Sequence, residues 1–231
     1  MPPWEILTSG KVKIEIDPSM ADREELWLDL GCGTATGATL YALLFYPKAR
    51  VICYDRDKTS EYVKGFLPPS VRHREKVITG DDGDVGKLTI EKLETEVRRF
   101  TGLPLSRVTR GHWSPSCEGL SDVSRGHHRD AHGKPRTAQA AEEDVIFEHG
   151  CHLMRALARI AQSCQITIEN PVSQHFPHQP GVRMLLRDPQ WRLLAGSHCS
   201  NLCGADTGLW PQKDTYWLCN RVPRKFHLDL C

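Results

Sequence analysis

Two short segments of this 231-residue chain carry residue types that do chemistry. Ser114-Pro115-Ser116-Cys117-Glu118-Gly119-Leu120-Ser121 sets a thiol among proline, serine and glycine, and Ile168-Glu169-Asn170-Pro171 sets a carboxylate directly after an apolar run. A thiolate adds to an electron-poor ring carbon, and addition across carbon 6 of a pyrimidine turns carbon 5 into an enamine carbon that can accept a methyl group. A carboxyl group holding a proton at ring nitrogen 3 eases that addition. A cysteine needs a positive charge or backbone N–H groups nearby to react as thiolate. Arg125, His127, His128 and Arg129 lie just downstream of Cys117 and offer charge. Glu169 follows Ile166-Thr167-Ile168, a run expected to be buried, so its carboxylate loses hydration unless it binds something or caps a neighbouring element.

The elements that must position these groups read as an alternating α/β pattern. Leu26-Trp27-Leu28-Asp29-Leu30 meets the glycine-rich stretch Gly31-Cys32-Gly33-Thr34-Ala35-Thr36-Gly37, and Ala38 to Phe45 reads as a helix closed by Pro47. Arg50 to Asp55 follows as a second buried strand ending in an acid, which completes a βαβ nucleotide-binding half. Gly31 and Gly33 let the backbone approach a ligand, and Asp55 is placed to accept two ribose hydroxyls. The third glycine comes one residue later than a dinucleotide fingerprint wants, which favours S-adenosylmethionine over NAD; a turn with a packing role only is the alternative. Val77 to Thr79 reads as a third strand, ending in the acidic turn Gly80-Asp81-Asp82-Gly83-Asp84. Ile90 to Phe100 has helical spacing, and a fourth strand from about Arg107 to Trp113 would deliver Cys117 just past its carboxyl end. Arg125 to Arg136 lacks an apolar period and reads as a polar loop. Glu142 to Ser163 is helical, Gln165 to Ile168 is a strand presenting Glu169 at its end, Gly181 to Leu186 is helix-like, and Trp191 to His198 and Leu209 to Asn220 supply last strands. The expectation is one Rossmann-like domain over residues 1–231, a mostly parallel sheet flanked by helices, with 118–141 as a mobile catalytic loop.

Asp29-Leu30-Gly31-Cys32-Gly33-Thr34 resembles the first motif of class I S-adenosylmethionine-dependent methyltransferases. The cysteine and Glu-Asn-Pro segments resemble the Pro-Cys-Gln and Glu-Asn-Val motifs of the cytosine-5 DNA methyltransferases. Ser116 stands where that family usually has proline, Glu118 where it often has glutamine and Pro171 where it often has valine. The resemblance runs from about Trp27 to Asn220. It implies methyl transfer from S-adenosylmethionine to carbon 5 of cytosine in DNA, with Cys117 as nucleophile and Glu169 at nitrogen 3. It further implies Asp29 near the methionine ammonium, Thr34 beside the cofactor, and Asp81 or Asp84 on the adenine amino group. Ser121, Arg125, His128, Arg129 and Asn170 are expected at the DNA. Gln212-Lys213-Asp214-Thr215 resembles the Gln-x-Arg-x-Arg motif with neither arginine present, so Lys213 would bring the charge and Gln212 and Thr215 hydrogen bonds. Family members usually carry a target-recognition domain and closing motifs after this point. No separate target-recognition domain is expected here, so sequence selectivity is expected to be low or supplied by a partner protein, an N-terminal segment or a loop, with residues Pro3 to Ile16 or a partner replacing the closing motif. Two other readings stay open: the same chemistry on RNA, and a catalytically silent module that binds S-adenosylmethionine or nucleic acid.

Thirty basic and twenty-nine acidic residues leave a formal charge of +1, so any nucleic-acid footprint has to be local rather than a global field. No apolar run approaches a membrane span, and Met1-Pro2-Pro3-Trp4-Glu5 lacks the features of a secretory signal, which predicts an intracellular protein, nuclear or cytoplasmic, without a membrane partner. Nine cysteines without a scaffold spacing read as reduced thiols. His198, Cys199, Cys203 and Cys219 match no common zinc-finger spacing, and no metal is expected.

Overall fold

Leu26-Trp27-Leu28-Asp29-Leu30 is buried along its whole length, the pattern of a strand covered on both faces, and it lies at the centre of the sheet. The computed structural model describes residues 18–33, 38–58, 67, 69–116, 125–199 and 212–221. In chain order the described elements are α1 (Pro18–Ala21), β1 (Leu26–Leu30), α2 (Ala38–Phe45), β2 (Arg50–Asp55), α3 (Pro69–Arg72), β3 (Glu75–Thr79), α4 (Ile90–Thr101), β4 (Arg110–Trp113), α5 (Arg125–His128), α6 (Ala138–Ile160), β5 (Gln165–Pro171), α7 (Pro180–Leu186), β6 (Arg192–Cys199) and β7 (Gln212–Cys219). The strands form a seven-stranded sheet in the order β3-β2-β1-β4-β5-β7-β6. Strands β1 to β5 pair in parallel, whereas β7 is antiparallel to both β5 and β6.

Strand alternation sorts the side chains onto two faces. Leu28, Leu30, Ile52, Tyr54, Trp113, Ile166, Ile168 and Leu218 join one cluster with Leu93 and Val97 of α4, Phe147, Met154 and Leu157 of α6, and Val182 and Leu185 of α7. Trp27, Val51 and Cys53 face the other way and pack on Ala42 and Leu43 of α2. The second face is the polar one: it also carries Asp29, His112, Thr167 and Glu169, by the register that sets Asp29 beside His112 and His112 beside Thr167.

Several boundaries differ from those the sequence predicts. β4 begins at Arg110 rather than Arg107, because Leu105–Arg107 closes a single 3-10 turn first. α6 begins at Ala138, four residues early, because Thr137 caps it with an Oγ1 that accepts from the Ala140 N–H at 3.2 Å. β5 continues through Glu169 to Pro171, since β7 pairs with it over that length, so Glu169 lies within the strand rather than beyond its end. Residues 125–141 of the expected mobile loop are built into the fold. They form α5, an isolated bridge between Arg129 and Pro135, and the start of α6. The remaining 118–124 lie outside the described residues. No helix among the described residues is long and apolar enough to cross a membrane.

β4 sits against α6 at a point where only glycine fits. Trp113 stacks on Phe147 with ring centroids 5.3 Å apart, and its indole fills the space above Gly150. A Cβ at Gly150 would lie 2.2 Å from the Trp113 ring. Gly150→Ala is therefore expected to destabilise the fold by about 3 kcal/mol, read as a lowered urea midpoint, because the ring is fully buried and has nowhere to shift.

Candidate active site

The carboxyl ends of β1, β2 and β4 and the turn after β3 enclose a cavity of about 490 Å³. Gly31, Asp55, Asp84, Trp113, Ser114 and Ser116 are among its lining residues. Gly31 opens the turn after β1 with φ +62°, and a Cβ there would meet the Ser114 carbonyl oxygen at 2.5 Å, so the turn requires glycine on both counts. Its N–H donates to the Tyr54 carbonyl at 2.8 Å. Asp55 ties the same turn to β2: its Oδ2 accepts from the Gly33 N–H at 2.6 Å and its Oδ1 from the Asp57 N–H at 2.8 Å. The carboxylate thus stands half-exposed at the cavity, held from two sides, with lone pairs left for a diol. Thr34 lies outside the described residues.

The two acids predicted for one role separate. Asp84 lines the cavity and caps the following 3-10 turn through the Gly86 N–H at 2.9 Å. Asp81 faces solvent, bonded to Lys87 at 2.6 Å, whose charge holds its carboxyl below the ordinary range. Asp81 thus forms a surface ion pair. Asp29 lies within β1. It is 2% exposed, and its Oδ2 accepts both the Thr39 N–H at 3.1 Å and the Thr39 hydroxyl at 2.5 Å. Through Oδ2 it anchors the first turn of α2. Burial pushes its carboxyl above the ordinary value, against the pull of His112 and the Thr39 bonds.

At the reacting end, Cys117 and Ser121 lie outside the described residues, and the chain that leads to Cys117 lines the cavity at Ser114 and Ser116. Ser116 donates from Oγ to Glu143 of α6 at 3.1 Å. Glu169 is half-buried on the polar face, where its Oε2 accepts from the Ser114 hydroxyl at 3.1 Å. Two residues that the motif reading passed over complete this group. His112 Nε2 is 2.9 Å from Ser114 Oγ and His112 Nδ1 is 2.9 Å from Thr167 Oγ1. The signal for them was a period-two pattern: His112 and Ser114 on β4 and its exit, and Thr167 and Glu169 on β5, share parity.

Asn170 alternates to the face opposite Glu169 and is fully buried. Arg129 is 2% exposed and forms a two-pronged ion pair with Asp144 of α6, at 2.5 and 3.0 Å, with a third bond to the Gly133 carbonyl. His128 Nδ1 lies 3.1 Å from Thr137 Oγ1 at the start of α6. Both residues tie this stretch to α6 and its cap. Arg125 sits in α5, and its side chain is outside the description. Thr215 is fully buried on β7 opposite Pro171. Gln212 and Lys213 open β7 beyond the last β5 pair, on the edge where Glu169 lies, with their side chains outside the description.

Burial pushes the Cys164 and Cys219 thiols up to about 12, and the Cys53 and Cys151 thiols upward as well. None of these four is a thiolate nucleophile at neutral pH. A larger cavity of about 640 Å³ opens at the opposite edge of the sheet, among Glu25, Arg50, Arg74 and Arg107, and holds none of the predicted residues.

No protein-family model and no curated protein matches this chain. Solved structures do. The chain is similar to the protein PH0851, at 13% identity and a TM-score of 0.51, over 87% of this chain and 43% of that one. It is similar to the S. pombe Dnmt2 methyltransferase, at 17% identity and a TM-score of 0.49, over 90% and 53% of the two chains. It is similar as well to precorrin-6y C5,15-methyltransferase from Geobacter metallireducens GS-15, at 12% identity and a TM-score of 0.44, over 93% and 85%. The chain spans about half the length of the first two. The fold is the Rossmann-like class I fold of S-adenosylmethionine-dependent methyltransferases, with strands ordered 3-2-1-4-5-7-6 and the seventh antiparallel.

The buried Asp29 gives stability a pH dependence of definite sign. Its native value is raised, so the folded state binds the proton more tightly than the unfolded one, and stability falls as pH climbs from about 3.8 through the native value. Asp29→Asn removes this titration while keeping an oxygen for Thr39. Urea unfolding at a series of pH values should show the loss in the wild type and a flatter profile in the variant.

Proposed function

We propose that this chain is an S-adenosylmethionine-dependent methyltransferase that methylates carbon 5 of cytosine in DNA through a covalent adduct to Cys117. The observation that carries this reading is the bond from Ser114 to Glu169. It joins segments 55 residues apart, one leading into the cysteine motif and the other bearing the carboxyl motif, at the sheet edge that holds the Gly31–Asp55 cavity. Open α/β sheets take their ligands at that edge.

The residues present fit the cofactor. A cavity of about 490 Å³ is within the range that small ligands occupy. Asp55 at the end of β2 suits a ribose diol, and Asp84 suits an exocyclic amino group. S-adenosylmethionine bound there would supply an electrophilic methyl group. For the chain's own part, Cys117 adds to carbon 6 of the base while Glu169 holds a proton at nitrogen 3, which makes carbon 5 nucleophilic. After methylation the proton on carbon 5 leaves, the bond from sulfur to carbon 6 breaks, and the thiol is restored. Among the described thiols, Cys53, Cys151, Cys164 and Cys219 are excluded from this role by burial.

DNA containing 5-fluorocytosine blocks the last elimination and should trap a protein–DNA adduct stable to denaturing electrophoresis. Cys117→Ala should abolish it, and an adduct that survives this change overturns the assignment. Labelled methyl groups appearing in RNA alone would move the substrate from DNA to RNA. On the cofactor side, Asp55→Ala should weaken S-adenosylmethionine binding by roughly 10- to 100-fold, and Asp81→Ala by less than about two-fold, when titrated by calorimetry.

A further inference from the structure

We infer that His112, acting through Ser114, sets the orientation and proton supply of the Glu169 carboxyl, and so is a positioning residue for the reaction proposed above, on which this inference rests. The argument begins with register. β4 and β5 run parallel with His112 beside Thr167, so both point to the face that carries Glu169. His112 is gripped at both ring nitrogens, by Thr167 Oγ1 and Ser114 Oγ at 2.9 Å each, and Ser114 Oγ continues to Glu169 Oε2 at 3.1 Å.

Counting protons along this row fixes what it can do. A serine hydroxyl has one proton, and donating it to Glu169 leaves the serine oxygen able only to accept from the ring. His112 therefore carries a proton on Nε2 whenever Glu169 is ionised. As an imidazolium it also donates from Nδ1 to Thr167. A shift of one proton then proceeds without breaking the row: the N–H bond at Nε2 breaks as a new O–H bond forms on Ser114, and the old Ser114 O–H bond breaks as one forms on Glu169. Imidazolium and carboxylate become neutral imidazole and carboxylic acid. The Nδ1 proton stays on the ring, donated to Thr167, throughout, and Glu169 is left with the proton that nitrogen 3 of a base requires.

The groups around His112 are mixed in charge. Asp29 faces it from β1, and Glu169 shares its face on β5. Cys219 of β7 lies opposite Thr167, and burial keeps it a neutral thiol. Arg110, on the same strand and face, has its guanidinium turned away toward the Trp27 ring, 5.6 Å from the centroid, and toward Gln165. Trp217 contributes a ring 6.3 Å from the imidazole.

The test uses the full chain and its His112→Gln and Ser114→Ala variants. Glutamine can still donate to Ser114 but cannot take up an extra proton. In single-turnover methyl transfer to cytosine DNA, both variants should lose roughly 10- to 100-fold in rate, with KM for DNA and cofactor within about two-fold of wild type. The pH profile of the rate should change in His112→Gln. A second readout does not depend on activity: the 15N NMR signals of the His112 ring should report a proton on Nε2 in the wild type, and Ser114→Ala, which removes the acceptor, should change the Nε2 signal. Wild-type rates and pH profile in both variants would overturn the inference while leaving the methyltransferase reading intact. A His112 Nε2 signal unmoved in Ser114→Ala would overturn it even if no nucleic acid proved to be methylated, which would by itself sink only the reading. If His112→Gln unfolds, as its thermal midpoint would reveal, Ser114→Ala and the NMR signals decide the matter.

Discussion

The register between β4 and β5 is the constraint on which the site depends. Side chains alternate along a strand, so a slip of one residue would turn Glu169 toward the helices and bring Asn170 to the edge where Ser114 stands. The apolar face prevents the slip. Trp113, Ile166 and Ile168 are fully buried there against α6, and Gly150 gives the Trp113 indole room that a side chain would remove. Asn220 then pins the far end: its Oδ1 accepts from the Ile166 N–H at 2.8 Å and its Nδ2 donates to the Cys164 carbonyl at 2.9 Å. Packing on one face thus determines which polar groups meet on the other.

The cofactor side uses a second device, a buried acid one layer behind the cavity. A carboxylate at 2% exposure loses its hydration and needs partners in return. Asp29 finds them in the Thr39 N–H and hydroxyl, which fixes the start of α2 relative to the end of β1. The stretch between is then held at both ends, with the Gly31 and Gly33 N–H groups tied to the Tyr54 carbonyl and the Asp55 carboxylate. Asp29 also stands beside His112 in the sheet, so one buried charge supports the turn and biases the histidine of the proton row.

Most of the sheet was legible because buried parallel strands write themselves as short apolar runs between glycine and proline signals. Leu26 to Leu30, Arg50 to Asp55 and Ala38 to Phe45 have the predicted bounds. The basic stretch after Cys117 was not legible in the same way. Its local pattern is that of a solvated loop, and what buries Arg129 is a carboxylate 15 residues away on a helix whose first turn the apolar spacing missed. Glu169 and Asn170 form one functional unit in the motif, whereas the strand sends them to opposite faces. The same rule, applied to Arg110-Gly111-His112-Trp113, points to His112 as the polar residue facing Thr167.

The thiols on the polar face bear on how that row works. Cys53 lies between two acids, with Thr39 Oγ1 at 3.0 Å and its Sγ donating to Glu75 at 3.6 Å, and Cys219 lies opposite Thr167. Burial raises both thiols far enough that they stay neutral across the physiological range. They fill space between charged groups without adding charge of their own. Among the described residues, the charged groups on the face of His112 include Asp29, Glu169 and the averted Arg110. In a partly desolvated setting each of these charges counts for more than it would in water.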